Sequence, residues 1–74
     1  MTPIKKESGT YRILALDQAT HNTGFAIFDN KELIAMNVFT ATGDKEIARI
    51  ANVKQWLLSM IEGWKPDLVG LEGI

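Results

Sequence analysis

The chain has no cysteine, which excludes disulfide staples and thiolate zinc sites and fits a reducing compartment. It has one histidine, His21, and a lone histidine in a loop reads as a surface residue. Neither sign of charge dominates: eight basic side chains stand against nine acidic ones, for a net charge of −1. No global basic field therefore points to nucleic acid, and such a partner would have to be held by local charges or by metal ions. No apolar run approaches the roughly 20 residues needed to span a bilayer. The first ten residues carry two lysines but no hydrophobic segment, so they are not a secretory signal.

What remains is 74 residues with an apolar share of 46%, too apolar for a disordered chain and large enough for one small domain. The stretch that organises it is Ile13-Leu14-Ala15-Leu16-Asp17. Four apolar residues run into a carboxylate, and a short polar loop follows. Gly24 then opens a second apolar run, Phe25-Ala26-Ile27-Phe28. Such runs, bounded by turn chemistry, read as buried strands. An acid at the end of a buried strand sits at the rim of a sheet, partly solvated and rigidly held. Leu68-Val69-Gly70-Leu71-Glu72 repeats that design.

In chain order, residues 1–10 read as a flexible leader. Residues 11–17 form the first strand, 18–23 its exit loop, and 24–29 the second strand. Thr23-Gly24 reads as turn chemistry. Asp29-Asn30-Lys31 is a turn, because Asp and Asn tolerate the left-handed conformation of a tight hairpin. Residues 32–39 form the third strand, with Leu33, Ala35 and Asn37 on one face and Ile34, Met36 and Val38 on the other. A helix follows over residues 45–62, with Gly43 or Asp44 as N-cap and Glu46 at its positive end. Ile47, Ile50, Val53, Leu57, Ile61 and Trp64 recur at helical spacing and define the expected buried stripe. Trp56 and Met60 fall off that stripe, which invites a cover from another part of the protein or another subunit. Gly63 is the expected terminator, and Pro66 blocks continuation. Residues 67–72 form the fourth strand. Lys31, Lys45, Arg49 and Lys54 are scattered and make no patch.

The fold class is therefore α/β: a mixed sheet built as an antiparallel three-strand meander, one helix, and a fourth strand parallel to the first (β-β-β-α-β). A strand–helix–strand crossover is right-handed and returns the fourth strand to the sheet in parallel. It can then lie beside the first strand, about 4.8 Å away. Pairing in register would set Asp17 beside Glu72, above the small residues Ala15 and Gly70. Two unpaired carboxylates this close raise each other's pKa, and a divalent cation between them removes that penalty.

These residues resemble a known family. Ile13-Leu14-Ala15-Leu16-Asp17 followed by Thr23-Gly24 is similar to the opening of the Holliday junction resolvases of the RuvC type, in the ribonuclease H-like superfamily. Lys65-Pro66-Asp67-Leu68-Val69-Gly70-Leu71-Glu72 resembles the family's second motif, a strand after a helix that ends in the second catalytic glutamate. The resemblance covers residues 11–74 and is nearest to phage-encoded resolvase-like proteins. Two departures stand out. Gln18 and Ala19 occupy positions where the family has proline or a small residue and then glycine. The family also completes its metal site with acids from a later helix, so residues 11–74 are expected to be the N-terminal half of a nuclease domain, inactive alone.

The resemblance implies a metal-dependent endonuclease acting on branched DNA. Asp17 and Glu72 would be its catalytic acids and its metal ligands, and Mg²⁺ or Mn²⁺ its cofactor. Oxygen ligands suit these hard cations. In such enzymes two ions about 3.5–4 Å apart activate water and stabilise the attacking and leaving oxygens. Gln18, Thr20, His21 and Asn22 lie on the loop beside the acids, within reach of a scissile strand. The resemblance further implies a homodimer, because a junction has two symmetric strands to cut, and a cytoplasmic location in a bacterium or phage-infected cell, with no membrane contact. A second resemblance comes from another class. Leu14-Ala15-Leu16-Asp17-Gln18-Ala19-Thr20 is similar to the first phosphate loop of sugar kinases of the actin-like ATPase superfamily. That family normally has glycine where Ala19 stands and a longer insertion before its next helix. A third reading is a non-catalytic module that binds DNA or a partner chain.

Overall fold

The chain's computed structural model describes residues 2–18, 22–42 and 45–72. Its elements are β1 (Arg12–Gln18), β2 (Asn22–Asp29), β3 (Glu32–Thr40), α1 (Glu46–Trp64) and β4 (Leu68–Glu72). They build a four-stranded sheet in the order β3-β2-β1-β4. β1 pairs antiparallel with β2, β2 pairs antiparallel with β3, and β4 runs parallel to β1. This is the expected α/β architecture. No helix among the described residues is long and apolar enough to cross a membrane.

The β2–β3 turn forms as its residues dictate. Asp29 pairs with Glu32, so Asn30 and Lys31 make a two-residue loop, and both have positive φ (50° and 74°). That is the hairpin geometry whose twist matches the strands it joins. The Asn30 side chain adds a bond, its Oδ1 accepting from the Tyr11 N–H at 2.9 Å. β1 and β2 run further than expected. Gln18 pairs with Thr23 and Asp17 with Gly24, so Gln18, Asn22 and Thr23 of the expected exit loop belong to the strands. Thr23 and Gly24 are strand residues, and Gly24 has no positive φ. The backbone pairs available to two antiparallel strands outweigh the turn propensity of Thr-Gly.

One layer of core lies between the sheet and α1. Leu14 and Leu16 of β1, Phe25 and Ile27 of β2, and Trp64 of α1 are buried, with Ile34, Ala35, Trp56, Leu57 and Met60 packed against them. Burying side chains of this size contributes about 1.5–3 kcal/mol each. The phase of β3 differs from strict alternation. A bulge opposite Ile27 and Phe28 places Ala35 against Ile27 but Leu33 against Phe28. The extra residue lets Ile34 and Ala35 both lean on the core, while Leu33, Met36 and Val38 are exposed.

The helix is rotated relative to the expected stripe. Ile47 is 82% and Ile50 60% exposed, and Ile61 is also on the exposed side. Trp56 and Met60, expected off the stripe, face the core instead. The cause is aromatic packing: the Trp56 ring stacks on Phe39 with centroids 4.6 Å apart and meets Phe25 at 5.7 Å. An aromatic pair of this kind is worth about 0.5–1.5 kcal/mol beyond its buried area. It turns the helix toward β2 and β3.

Helix termination differs too. Gly63 lies inside α1, and Lys65 takes the left-handed cap position at φ 53°, its N–H donating to the Ile61 carbonyl at 2.9 Å. Pro66 brings no N–H to extend the ladder, so the chain turns away one residue before it. The N-cap residue is Lys45, without a side-chain cap bond; the expected caps Gly43 and Asp44 lie outside the described residues. The loop before the helix is held from within it, the Thr42 N–H donating to Asn52 Oδ1 at 3.0 Å.

Candidate functional site

The sheet has two ends. At one end the start of β1 meets the β2–β3 turn and the C-terminus of α1, and Arg12 holds that junction. Its side chain shares the inward face with Leu14 and Leu16 and is fully buried. The guanidinium grips Asp29 with two bonds, Nε to Oδ1 at 2.7 Å and Nη2 to Oδ2 at 2.8 Å. Nη1 donates to the carbonyls of Ile4 and Trp64, both at 2.8 Å, and the cation lies over the Trp64 ring at 5.4 Å. The bond from Arg12 holds the Asp29 carboxyl below its ordinary pKa, and Asp29 in turn raises that of Arg12. The Asp67 carboxyl is also lowered, first by the Arg12 N–H and then by Lys6, whose Nζ lies 2.7 Å from Oδ1.

The segment before β1 joins this end. Besides the Ile4 carbonyl and Lys6, Pro3 approaches α1 so closely that a Cβ on Gly63 would stand 2.9 Å from its Cγ. Four of the five N–H groups of the buried guanidinium are directed at backbone carbonyls or Asp29, so this cluster ties the elements at this end together. Sequence reasoning passed over Arg12. The signal was a cation in phase with Leu14 and Leu16, opposite an acid one hairpin away.

The other end carries the candidate acids. β1 and β4 pair from Ile13 with Leu68 to Asp17 with Glu72. Asp17 and Glu72 therefore stand level on adjacent parallel strands, about 4.8 Å apart in the pairing direction. Ala15 pairs with Gly70 just below them. Asp17 lies on the sheet face away from α1 and is exposed, without a hydrogen-bond or ion-pair partner among the described residues. On its other side stands Gly24, where an added Cβ would lie 3.7 Å from the Asp17 carbonyl oxygen. Glycine there leaves the flank of the carboxylate open.

No family model matches the chain, and no curated protein or solved structure matches it either.

The loop residues divide. Thr20 and His21 lie outside the described residues, as does the Gln18 side chain. Asn22 is engaged across the sheet, its Oδ1 accepting from Thr40 Oγ1 at 2.9 Å. Among the described residues there is no group of three or more His, Cys, Asp or Glu side chains able to hold a metal ion. The candidate donors are Asp17 and, at the level backbone position of β4, Glu72, whose side chain lies outside the described residues. Hard oxygen donors in that number suit one Mg²⁺ or Mn²⁺ that keeps several waters or phosphate oxygens. A second ion would need donors beyond this pair.

Proposed function

We propose that residues 11–72 form the metal-binding edge of a ribonuclease H-like nuclease fold that hydrolyses phosphodiesters in branched DNA. The observation that carries this reading is the parallel register that sets Asp17 level with Glu72 above Ala15 and Gly70. Asp17 and Glu72 would hold the divalent cation, Mg²⁺ or Mn²⁺. When bound, the cation supplies Lewis-acid activation of water and of the phosphoryl oxygens. The chain contributes rigid placement. Asp17 is fixed by pairing on both sides, to β2 and to β4. The small neighbours Gly24, Ala15 and Gly70 leave room for a nucleic-acid strand to approach. At a net charge of −1, a cation at this edge is also what admits a polyanion, because it screens the carboxylates from phosphate. The reading carries with it a homodimer and a cytoplasmic location in a bacterium or phage-infected cell.

The test is direct. Mn²⁺ titration followed by electron paramagnetic resonance should give one site in the wild-type chain, and Asp17→Asn and Glu72→Gln should each abolish it. Retention of a four-way DNA junction in gels should require Mg²⁺ and fail in the same variants. Mn²⁺ binding equal to wild type in both variants refutes the assignment. ATP binding that ignores Asp17→Asn would transfer the chain to the nucleotide-binding class.

A further inference from the structure

Burial does not fix the register of β4 against β1. The large apolar side chains of β4 are exposed, Leu68 to 49%, Val69 to 41% and Leu71 to 63%. A strand's register is strongly specified only where one of its faces is buried, and a slip of one residue turns every side chain to the other face. The level pairing of Asp17 with Glu72 therefore needs a pin from outside the run Leu68-Val69-Gly70-Leu71.

The pin stands at the opposite end of the strand pair. The Arg12 N–H donates to Asp67 Oδ2 at 2.7 Å, and the Asp67 N–H donates back to the Arg12 carbonyl at 2.7 Å. These two bonds close a ring between the residue that starts β1 and the residue just before β4. They join positions 55 apart in the chain, the offset that the β1–β4 pairs keep up to Asp17 with Glu72. Neither neighbour of Asp67 can take its place. Pro66 has no N–H to donate, and Leu68 has no side-chain oxygen to accept. Lys6 steadies the carboxylate: its Nζ lies 2.7 Å from Asp67 Oδ1 and donates to the Lys65 carbonyl at 3.2 Å. One carboxylate oxygen is thus engaged by the cation while the other meets β1. Arg12 is itself anchored, its buried side chain bonded to Asp29 and to the Trp64 carbonyl.

We propose that Asp67, steadied by Lys6, is a positioning residue for the metal-binding edge: it sets the register of β4 and, through it, the level of Glu72 beside Asp17. It acts through the backbone and not through its charge. The five residues of β4 carry Glu72 about 16 Å from Asp67. That is beyond the roughly 8 Å screening length at physiological ionic strength. The clamp stands on the β1–β4 contacts alone, and its consequence for a cation rests on the function proposed above.

Two measurements on the full chain test it. Backbone nuclear Overhauser contacts between β1 and β4 read the register, and Mn²⁺ titration followed by electron paramagnetic resonance reads the site. Asp67→Ala removes the acceptor. It should keep the circular dichroism of the fold and lose the wild-type contacts between β1 and β4, or divide them between two registers. Its Mn²⁺ affinity should fall about tenfold, the scale on which supporting contacts act at metal sites. Asp67→Asn keeps an oxygen for the Arg12 N–H and should retain both the contacts and most of the affinity. Asp67→Glu keeps the charge but carries the carboxylate one methylene further out. It should lose both, and it decides the matter where Asp67→Ala does not fold. Trp56→Ala, which loosens α1 without touching the ring, should destabilise the chain and leave the Mn²⁺ affinity of the folded form unchanged. Wild-type contacts in Asp67→Ala overturn the proposal. So does an equal loss of affinity in Asp67→Asn, which would make the effect one of charge, or in Trp56→Ala, which would make it one of general stability. A wild-type chain that binds no Mn²⁺ ends the proposed function, while the backbone contacts still decide the clamp.

Discussion

Replacing Asp29 with alanine strips the Arg12 guanidinium of both its bonds to a carboxylate, at 2.7 and 2.8 Å. Arg12 has no exposed surface, and a guanidinium cannot escape by giving up its proton. What remains to it is two backbone carbonyls and the face of Trp64. Breaking a buried ion pair by removing one partner costs about 3–5 kcal/mol. The Asp29 side chain is itself 20% exposed, so water can reach part of the vacated space, and the lower end of the range applies. A loss of about 3 kcal/mol is large for a domain of this length, whose total stability is on the order of 4–11 kcal/mol.

The assay is urea denaturation at one fixed low protein concentration, read as a shift in midpoint. Tryptophan fluorescence reports directly, since Trp64 lies against Arg12. The double substitution Arg12→Met with Asp29→Leu should recover most of the loss, because an apolar pair of similar volume carries no desolvation cost. If Asp29→Ala shifts stability by less than about 0.5 kcal/mol, the pair behaves like a surface ion pair and the reasoning fails.

The acid limb of stability should carry the same signature. Asp29 and Asp67 have lowered folded-state pKa values, so the stability they contribute is present above the unfolded value of about 4 and is lost as pH falls through the folded values. Arg12, with its pKa raised, stays charged throughout. Urea midpoints between neutral pH and pH 2 should therefore fall less steeply in Asp29→Ala than in the wild type. Lys31 and Lys65 occupy left-handed positions at φ 74° and 53°; glycine at either should raise stability by about 0.5–1 kcal/mol in the same melts, the relief of the Cβ clash exceeding the added unfolded-state entropy. Trp56→Ala removes the stack on Phe39 and should cost about 2–3 kcal/mol, with Trp56→Phe recovering part. A neutral Trp56→Ala would show that α1 is not oriented by that contact.

Where sequence and structure agree and where they part follows from the range of the signal. The β-β-β-α-β order, the Asn30-Lys31 turn and the level pairing of Asp17 with Glu72 all rest on local patterns plus one topological rule, the return of a strand in parallel after a helix. The phase of β3 does not. Strict alternation assigns Ile34 and Met36 to one face, and only the bulge opposite Ile27 and Phe28 separates them. A bulge leaves no mark in a run as uniform as Leu33-Ile34-Ala35-Met36. The helix misleads for the opposite reason, an excess of signal. Ile47, Ile50, Val53, Trp56, Leu57, Leu58, Met60, Ile61 and Trp64 cover more than half its circumference, and periodicity alone does not say which part meets this sheet. The stack of Trp56 on Phe39 decides it, and that is a contact across 17 residues of chain. The misassigned positions share one property. Ile47, Ile50, Met36 and Val38 have the residue types of an interior and lie outside this one. A composition of that kind is not maintained against solvent without cost. Each large side chain left bare forfeits the about 1.5–3 kcal/mol that its burial would return. Ile47 and Ile50 lie on the exposed flank of α1 and Met36 and Val38 on the sheet face away from it, so the pattern marks apolar side chains beyond the single layer that α1 and the sheet enclose.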